Sequence, residues 1–295
     1  MRTFMSREGY SSPPFMRIFK RWWNLTFLLL VIVITGYFLV SCGGTPDNDP
    51  DPGPQPGFGH ITFTFTHHVD QKPLQLDSMM YVNSAGNPYE VNEIMYFISD
   101  VTLYKSGGEE ILIDKWKDIH YVELAIPTTL TWEVFDDIPE GTYDSITFIF
   151  GIPEEKNESF MFVNPPEDKM MWPDILGGGY HYMMLNGKWL DEQNNEWIYN
   201  FHLGIGQLYK GDEINFDSIY AYVQNYFTVS LPGSAFTLAK DQTREVEIIM
   251  NVESWYSTPH DFDFNYWGGA IMEIQDAMQM GVENGYDVYE IGSIK

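Results

Sequence analysis

Histidine and methionine are the residues of this 295-residue chain best suited to bind a soft metal ion, and it carries seven of the first and fifteen of the second. Imidazole suits copper, zinc and iron, and a thioether suits Cu(I). His67 closes the run Ile61-Thr62-Phe63-Thr64-Phe65-Thr66-His67, which alternates without a break. Ile61, Phe63, Phe65 and His67 share one strand face, and Thr62, Thr64, Thr66 and His68 share the other. His67 is therefore expected to point into the core or its rim, where an imidazole needs partners for both ring nitrogens. A hydrogen-bonded core histidine is the default reading, and His68, on the polar face, is the weaker candidate ligand. His202 shares a face with Ile198, Asn200 and Gly204, and the glycine two residues on leaves room beside the ring. His181 lies in the alternating run Tyr180 to Leu185 and could face either side. His60 and His260 are expected in solvent, and His120 at the surface or hydrogen-bonded. Met170-Met171-Trp172 and Met183-Met184 lie on either side of Gly177-Gly178-Gly179. Thioethers beside imidazoles favour copper over magnesium or calcium, although methionine more often fills gaps in a core.

Carboxylates offer less. Asp261-Phe262-Asp263-Phe264-Asn265 opens like a calcium loop, but Tyr266 stands where glycine is required and Met272 where glutamate is required, so an EF-hand is excluded. No Gly-x-Ser-x-Gly, His-Glu-x-x-His or Walker pattern occurs. Abundant Asp and Glu would allow a glycosidase pair, but nothing selects one. An enzyme is not expected.

These residues must be positioned by strands. Strand runs are expected at Tyr96–Tyr104, Glu110–Lys115, Ile119–Glu123, Tyr143–Gly151, Tyr180–Leu185, Trp197–Gly204, part of Ser218–Leu231, and Glu245–Val252. Gly107-Gly108 between two of them reads as a hairpin. This spacing predicts an all-β fold, an antiparallel β-sandwich of Ig-like or jelly-roll-like type. One C-terminal amphipathic helix is expected from Ala270, Ile271, Ile274, Ala277 and Met278, and a shorter helix around Tyr89–Phe97.

The charge divides along the chain. There are 16 Lys and Arg against 42 Asp and Glu, a net −26. Residues 1–41 hold five basic residues and one acid, so residues 42–295 carry 11 basic against 41 acidic residues, or −30. A surface so acidic disfavours nucleic acid, whose phosphates demand a Lys/Arg surplus. Arg17, Lys20 and Arg21 precede an uncharged apolar run from Leu25 to Val40, an export-signal pattern. Leu39-Val40-Ser41-Cys42 then resembles a bacterial lipobox. Cleavage before Cys42, the only cysteine, and lipid on its sulfur are what that resemblance implies. The expected organisation is a lipoprotein signal peptide at 1–41, a Pro/Gly/Asp-rich linker at 42–58 after a lipidated Cys42, and a β domain at 59–295. Membrane contact is expected through the lipid anchor alone, placing the protein in the cell envelope at the outer membrane, on its periplasmic or surface face.

Several segments follow one another in a joint order: Phe65-Thr66-His67-His68-Val69-Asp70, Pro73-Leu74, Phe97-Ile98-Ser99-Asp100-Val101, Phe150-Gly151-Ile152, Met171-Trp172, Gly179-Tyr180, and Phe201-His202-Leu203-Gly204. This order, over roughly residues 59–285, resembles the MbnP-like family of methanobactin-associated copper-binding proteins. The resemblance implies a β-rich envelope domain able to bind copper through histidines and a tryptophan oxidised to kynurenine. Carried onto this chain, it implies His67, His202 and Trp172 as the metal site and a kynurenine from Trp172; His68, His181 and Met171 stand beside them as weaker candidates from their residue types and positions. Two departures stand out. Pro173-Asp174 follows Met171-Trp172 where the family often places a second tryptophan, and Asn186-Gly187 stands where it usually has Glu-Gly. The expected function is copper capture, storage or hand-off by a lipid-anchored, non-catalytic protein. The alternative is a surface lipoprotein, structural or glycan-binding, without metal.

Overall fold

The computed structural model describes residues 57–295, so the signal, Cys42 and the linker up to Pro56 lie outside the described residues. The alternation read at Ile61–His67 forms β1, Phe58–Val69, in which Gly59, Ile61, Phe63, Phe65, His67 and Val69 are all buried. β2, Pro88–Lys105, is 18 residues long. It is followed by β3 at Ile119–Glu123, β4 at Gly141–Phe150, β5 at Met183–Leu190, β6 at Glu196–Leu203, β7 at Ile219–Val223, β8 at Phe227–Leu231, β9 at Thr243–Asn251 and β10 at Tyr289–Ile294. The order β6-β5-β2-β4-β8 builds a nine-stranded sheet in which β3 and three short strands also pair with β2 or β4. β10-β9-β1, with short strands beside β1, builds a six-stranded sheet. β7 pairs with Gly206–Tyr209 in a separate ribbon.

The two main sheets form the expected sandwich. Antiparallel pairing dominates, and β1 with β9 adds a parallel pair in the register His67 opposite Met250. The core between the sheets is aromatic. Tyr96 meets Tyr289 at a ring separation of 6.1 Å, Phe148 meets Tyr289 at 5.1 Å and Phe150 meets Trp255 at 5.0 Å.

Two helix expectations change. Tyr89–Phe97 is not a helix but the first half of β2. Its apolar residues are buried on both faces of a central strand, and such continuous burial erases the period-two pattern that would have announced a strand. The C-terminal helix, α1, runs over Gln275–Asn284, so Ala270 and Ile271 precede it. Ala270 instead bridges to Asn200 at the sheet edge.

β2 has two faces, each covered. Tyr96 and the residues in phase with it look toward the six-stranded sheet. Phe97, one residue on, looks the other way, stacking on Phe162 at 5.4 Å and meeting Tyr180 edge-on at 6.2 Å. Residues 152–182 thus lie over the outer face of the nine-stranded sheet. They are pinned there by Lys156, which binds Asp100 and Asp118 at 2.5 and 2.8 Å, and by Lys169, which binds buried Glu123 at 2.5 Å.

His67 sits between the sheets, edge-on to Tyr96 at 5.8 Å, and neither of its ring nitrogens has a hydrogen-bond partner. The hydrogen-bonded core histidine expected from the sequence is therefore core but unpartnered. Burial, with His68 adding to it, depresses its pKa from 6.5 to about 4. The charged form is excluded from the fold, so the stability contributed by neutral His67 is complete above pH 6.5 and disappears as pH falls to 4. Urea unfolding of wild type and His67→Leu should diverge in pH dependence by about 1.4 kcal/mol per pH unit between pH 6.5 and 4, the variant having the shallower slope; parallel slopes would contradict the burial argument.

Candidate metal centre

The outer face of the nine-stranded sheet carries the chemistry. In β5 and β6, Met184 lies opposite His202 and Met183 opposite Leu203; in β5 and β2, Met184 lies opposite Met95 and Met183 opposite Tyr96. Directly opposed residues share a face and neighbours along a strand do not. Tyr96, Met183 and Leu203 therefore face inward, where Tyr96 meets His67, while Met95, Met184 and His202 face outward. His67 and His202 stand on opposite sides of the sheet. The expectation that they converge on one ion is corrected by strand parity, and His68 lies with His67 on β1, opposite Pro73.

The structure instead brings together His202, His181 and Trp172. The His181 and His202 rings meet edge to face with centroids 5.0 Å apart, and Trp172 meets His181 the same way at 4.6 Å. All three are buried. The Gly177-Gly178-Gly179 bend makes this possible: its φ values of 121°, 71° and 76° reverse the chain at little cost only for glycine. The bend pairs Met171 with Tyr180, which sets Trp172 and His181 side by side. Gly204 admits the indole, because a Cβ at that position would lie 2.6 Å from Trp172 Cε3. Met171, next in sequence to Trp172, is 38% exposed.

Each imidazole is held by one nitrogen and leaves the other free. His181 Nδ1 lies 2.9 Å from the Met170 carbonyl oxygen, and since that oxygen can only accept, Nδ1 carries the proton. His202 Nε2 lies 2.7 Å from Asn186 Oδ1, and the Asn186 amide nitrogen donates to Glu93 Oε2 at 3.0 Å. That second bond orients the amide, so its oxygen faces the histidine and Nε2 is the donor. His181 Nε2 and His202 Nδ1 are left as buried atoms with a lone pair and no partner. Burial holds both rings neutral, His181 at about 4 despite its backbone bonds and His202 at about 3 with His181 adding to the effect.

A neutral, deprotonated nitrogen oriented by a hydrogen bond through the opposite ring atom is the state in which histidine binds metal. An ion about 2 Å from each nitrogen can join rings whose centroids are up to about 6 Å apart, so the observed separation fits one ion. Among the described residues no group of three or more His, Cys, Asp or Glu is assembled for a metal; the donors present are two imidazoles. Kynurenine at position 172 has no support; the Trp172 indole donates from Nε1 to the Leu176 carbonyl at 3.0 Å.

The remaining histidines serve other ends. His120 is buried, its ring stacked between Phe65 at 5.2 Å and Trp132 at 5.0 Å, with Lys117 and the Thr129 carbonyl on its two nitrogens. His260 is at the surface, paired with Glu283.

The MbnP family model matches residues 58–273. The chain belongs to the MbnP family. Among solved structures, MbnP from Methylosinus trichosporium aligns at 15% identity over 68% of this chain and 77% of that one, with a TM-score of 0.42. No curated protein matches. Sequence reasoning placed Trp172 and His202 in the site of this MbnP-family chain and held His181 in reserve. It missed Asn186 and Glu93, whose roles depend on a register between strands nearly 100 residues apart.

Gly204→Ala should destabilise the protein by about 1–3 kcal/mol, because a rigid indole rather than a flexible chain end opposes the new methyl group. Thermal unfolding measures this, and a wild-type midpoint would show that Trp172 does not pack on Gly204.

Proposed function

We propose that this MbnP-family protein binds copper for capture, storage or hand-off, without turnover, and that His181 and His202 are the ligands. The observation that carries this reading is the pair of buried, neutral imidazoles, each with its proton fixed on one nitrogen and a bare lone pair on the other. Two such buried nitrogens left unpaired each forgo a hydrogen bond, and a bound ion removes that cost. Imidazole pairs suit copper, and family membership points the same way. Trp172 closes the site as a wall. The lipobox-like Cys42 would tether the domain to the envelope, leaving the acidic domain in the aqueous phase.

A second reading, a glycan- or ligand-binding surface lipoprotein, is favoured by one feature. A cavity of about 780 Å³ away from the histidine pair is lined by Trp116 and Phe135, both largely exposed, with Thr131, Glu133 and Lys117 among its polar groups. Aromatic faces beside hydroxyl and charged groups suit sugar rings. Binding to a glycan array unaffected by chelator would support it.

Elemental analysis after copper loading and desalting should find about one copper per chain in wild type and His67→Ala. Loss of a ligand typically costs well beyond the 10–100-fold of an outer contact, so His181→Ala and His202→Ala should retain almost none. Equal copper in all four proteins would sink the proposal.

A further inference from the structure

The outer face of the sheet places a third donor beside His202. Met184 lies directly opposite His202 on one side and Met95 on the other, and Met95 lies opposite Glu123. One row across β3, β2, β5 and β6 therefore reads Glu123, Met95, Met184, His202, all on the face covered by residues 152–182. Opposed Cβ atoms in an antiparallel pair are about 4.5–5.5 Å apart, and the three rotatable bonds of methionine let its sulfur adapt to a neighbour on that face. Neither carboxylate near the row hydrogen-bonds either histidine directly. Glu123 is bound by Lys169 at 2.5 Å and by the Tyr121 hydroxyl at 2.8 Å, and Glu93 is bound by Asn186 at 3.0 Å.

Resting on the copper reading above, we infer that Met184 is the soft third ligand and that it makes this a Cu(I) site. Two imidazoles and a thioether are all neutral, so these three donors leave the charge of the ion uncompensated. The cost of burying an ion in a low-dielectric medium scales with the square of its charge, about four times greater for a divalent than for a monovalent ion. Thioether sulfur also prefers Cu(I) on grounds of softness. Charge and softness thus select the same oxidation state. Buried Met95 lies beside Met184 on the side away from His202.

The test uses the purified protein under anaerobic conditions, with Cu(I) supplied as its acetonitrile complex and competed by a chromophoric Cu(I) chelator, and with Cu(II) sulfate titrated separately. Wild type should bind Cu(I) far more tightly than Cu(II), and X-ray absorption should show one sulfur near the ~2.3 Å typical of metal–thiolate bonds. Met184→Leu should weaken Cu(I) by about tenfold or more, remove the sulfur signal and leave Cu(II) affinity unchanged. Met184→Gln keeps the side-chain length with a hard oxygen, and makes the same comparison should the leucine variant fail to fold. Unchanged Cu(I) affinity and an unchanged sulfur signal in the Met184 variants would overturn the inference. If His181→Gln and His202→Gln still abolish binding in that case, the copper reading survives without Met184. If those two variants bind both ions like wild type, the copper reading itself falls.

Discussion

The two-residue period of a pleated strand governs this molecule. β2 runs 18 residues through the middle of the larger sheet, and at each step parity assigns a side chain either to the space between the sheets or to the space beneath residues 152–182. The first space holds the aromatic core with His67 inside it. The second holds the row of methionines and His202. The covering segment buries this face around Met95 and His202, a second interior beside the first, while Glu93 and Ile198 on the same face stay exposed. The candidate site lies in the second.

That second interior is electrostatically unlike the surface. The chain carries a net −26, yet the histidine pair has no carboxylate in direct contact. The nearest acids are each occupied, Glu123 by a lysine and a tyrosine and Glu93 by an amide. Asn186 stands where family resemblance leads one to expect glutamate. The carboxylate has not vanished from the neighbourhood; Glu93 supplies one a strand away, and Asn186 passes its polarity to His202 while keeping its charge at a distance. A broad acidic exterior can draw cations toward the molecule, whereas the two buried imidazoles are themselves neutral.

Much of the fold was legible. β1 and β3 follow the expected spans because their patterns are clean, and the Gly107-Gly108 hairpin joins β2 to the short strand at Glu110–Leu112. Tyr89–Phe97 was misread because a strand buried on both faces has no period to display. The site was half legible. His202 and Trp172 could be found from glycine spacing and family order, and His181 from its place beyond the glycine bend. His67 misled because an inward-facing histidine says nothing about which side of which sheet it serves; that depends on how β1 stacks on β2, a relation between sheets that a linear pattern does not encode. Asn186 and Glu93 were invisible for a similar reason, since each is an ordinary polar residue until strand register sets one beside the other.

The two hydrogen bonds that fix the imidazole tautomers have a thermodynamic corollary. Metal binding by histidine usually competes with protons, so that uptake acidifies the solution and acid expels the metal. Here the Met170 carbonyl and the Asn186 amide hold the ring protons on the nitrogens that face away from the site, and burial keeps the others bare at neutral pH. An ion can then enter or leave with no proton moving in the opposite direction. Across the mildly acidic to neutral range, occupancy would follow the free concentration of the ion alone, and exchange with a partner would need no proton donor or acceptor between the two proteins.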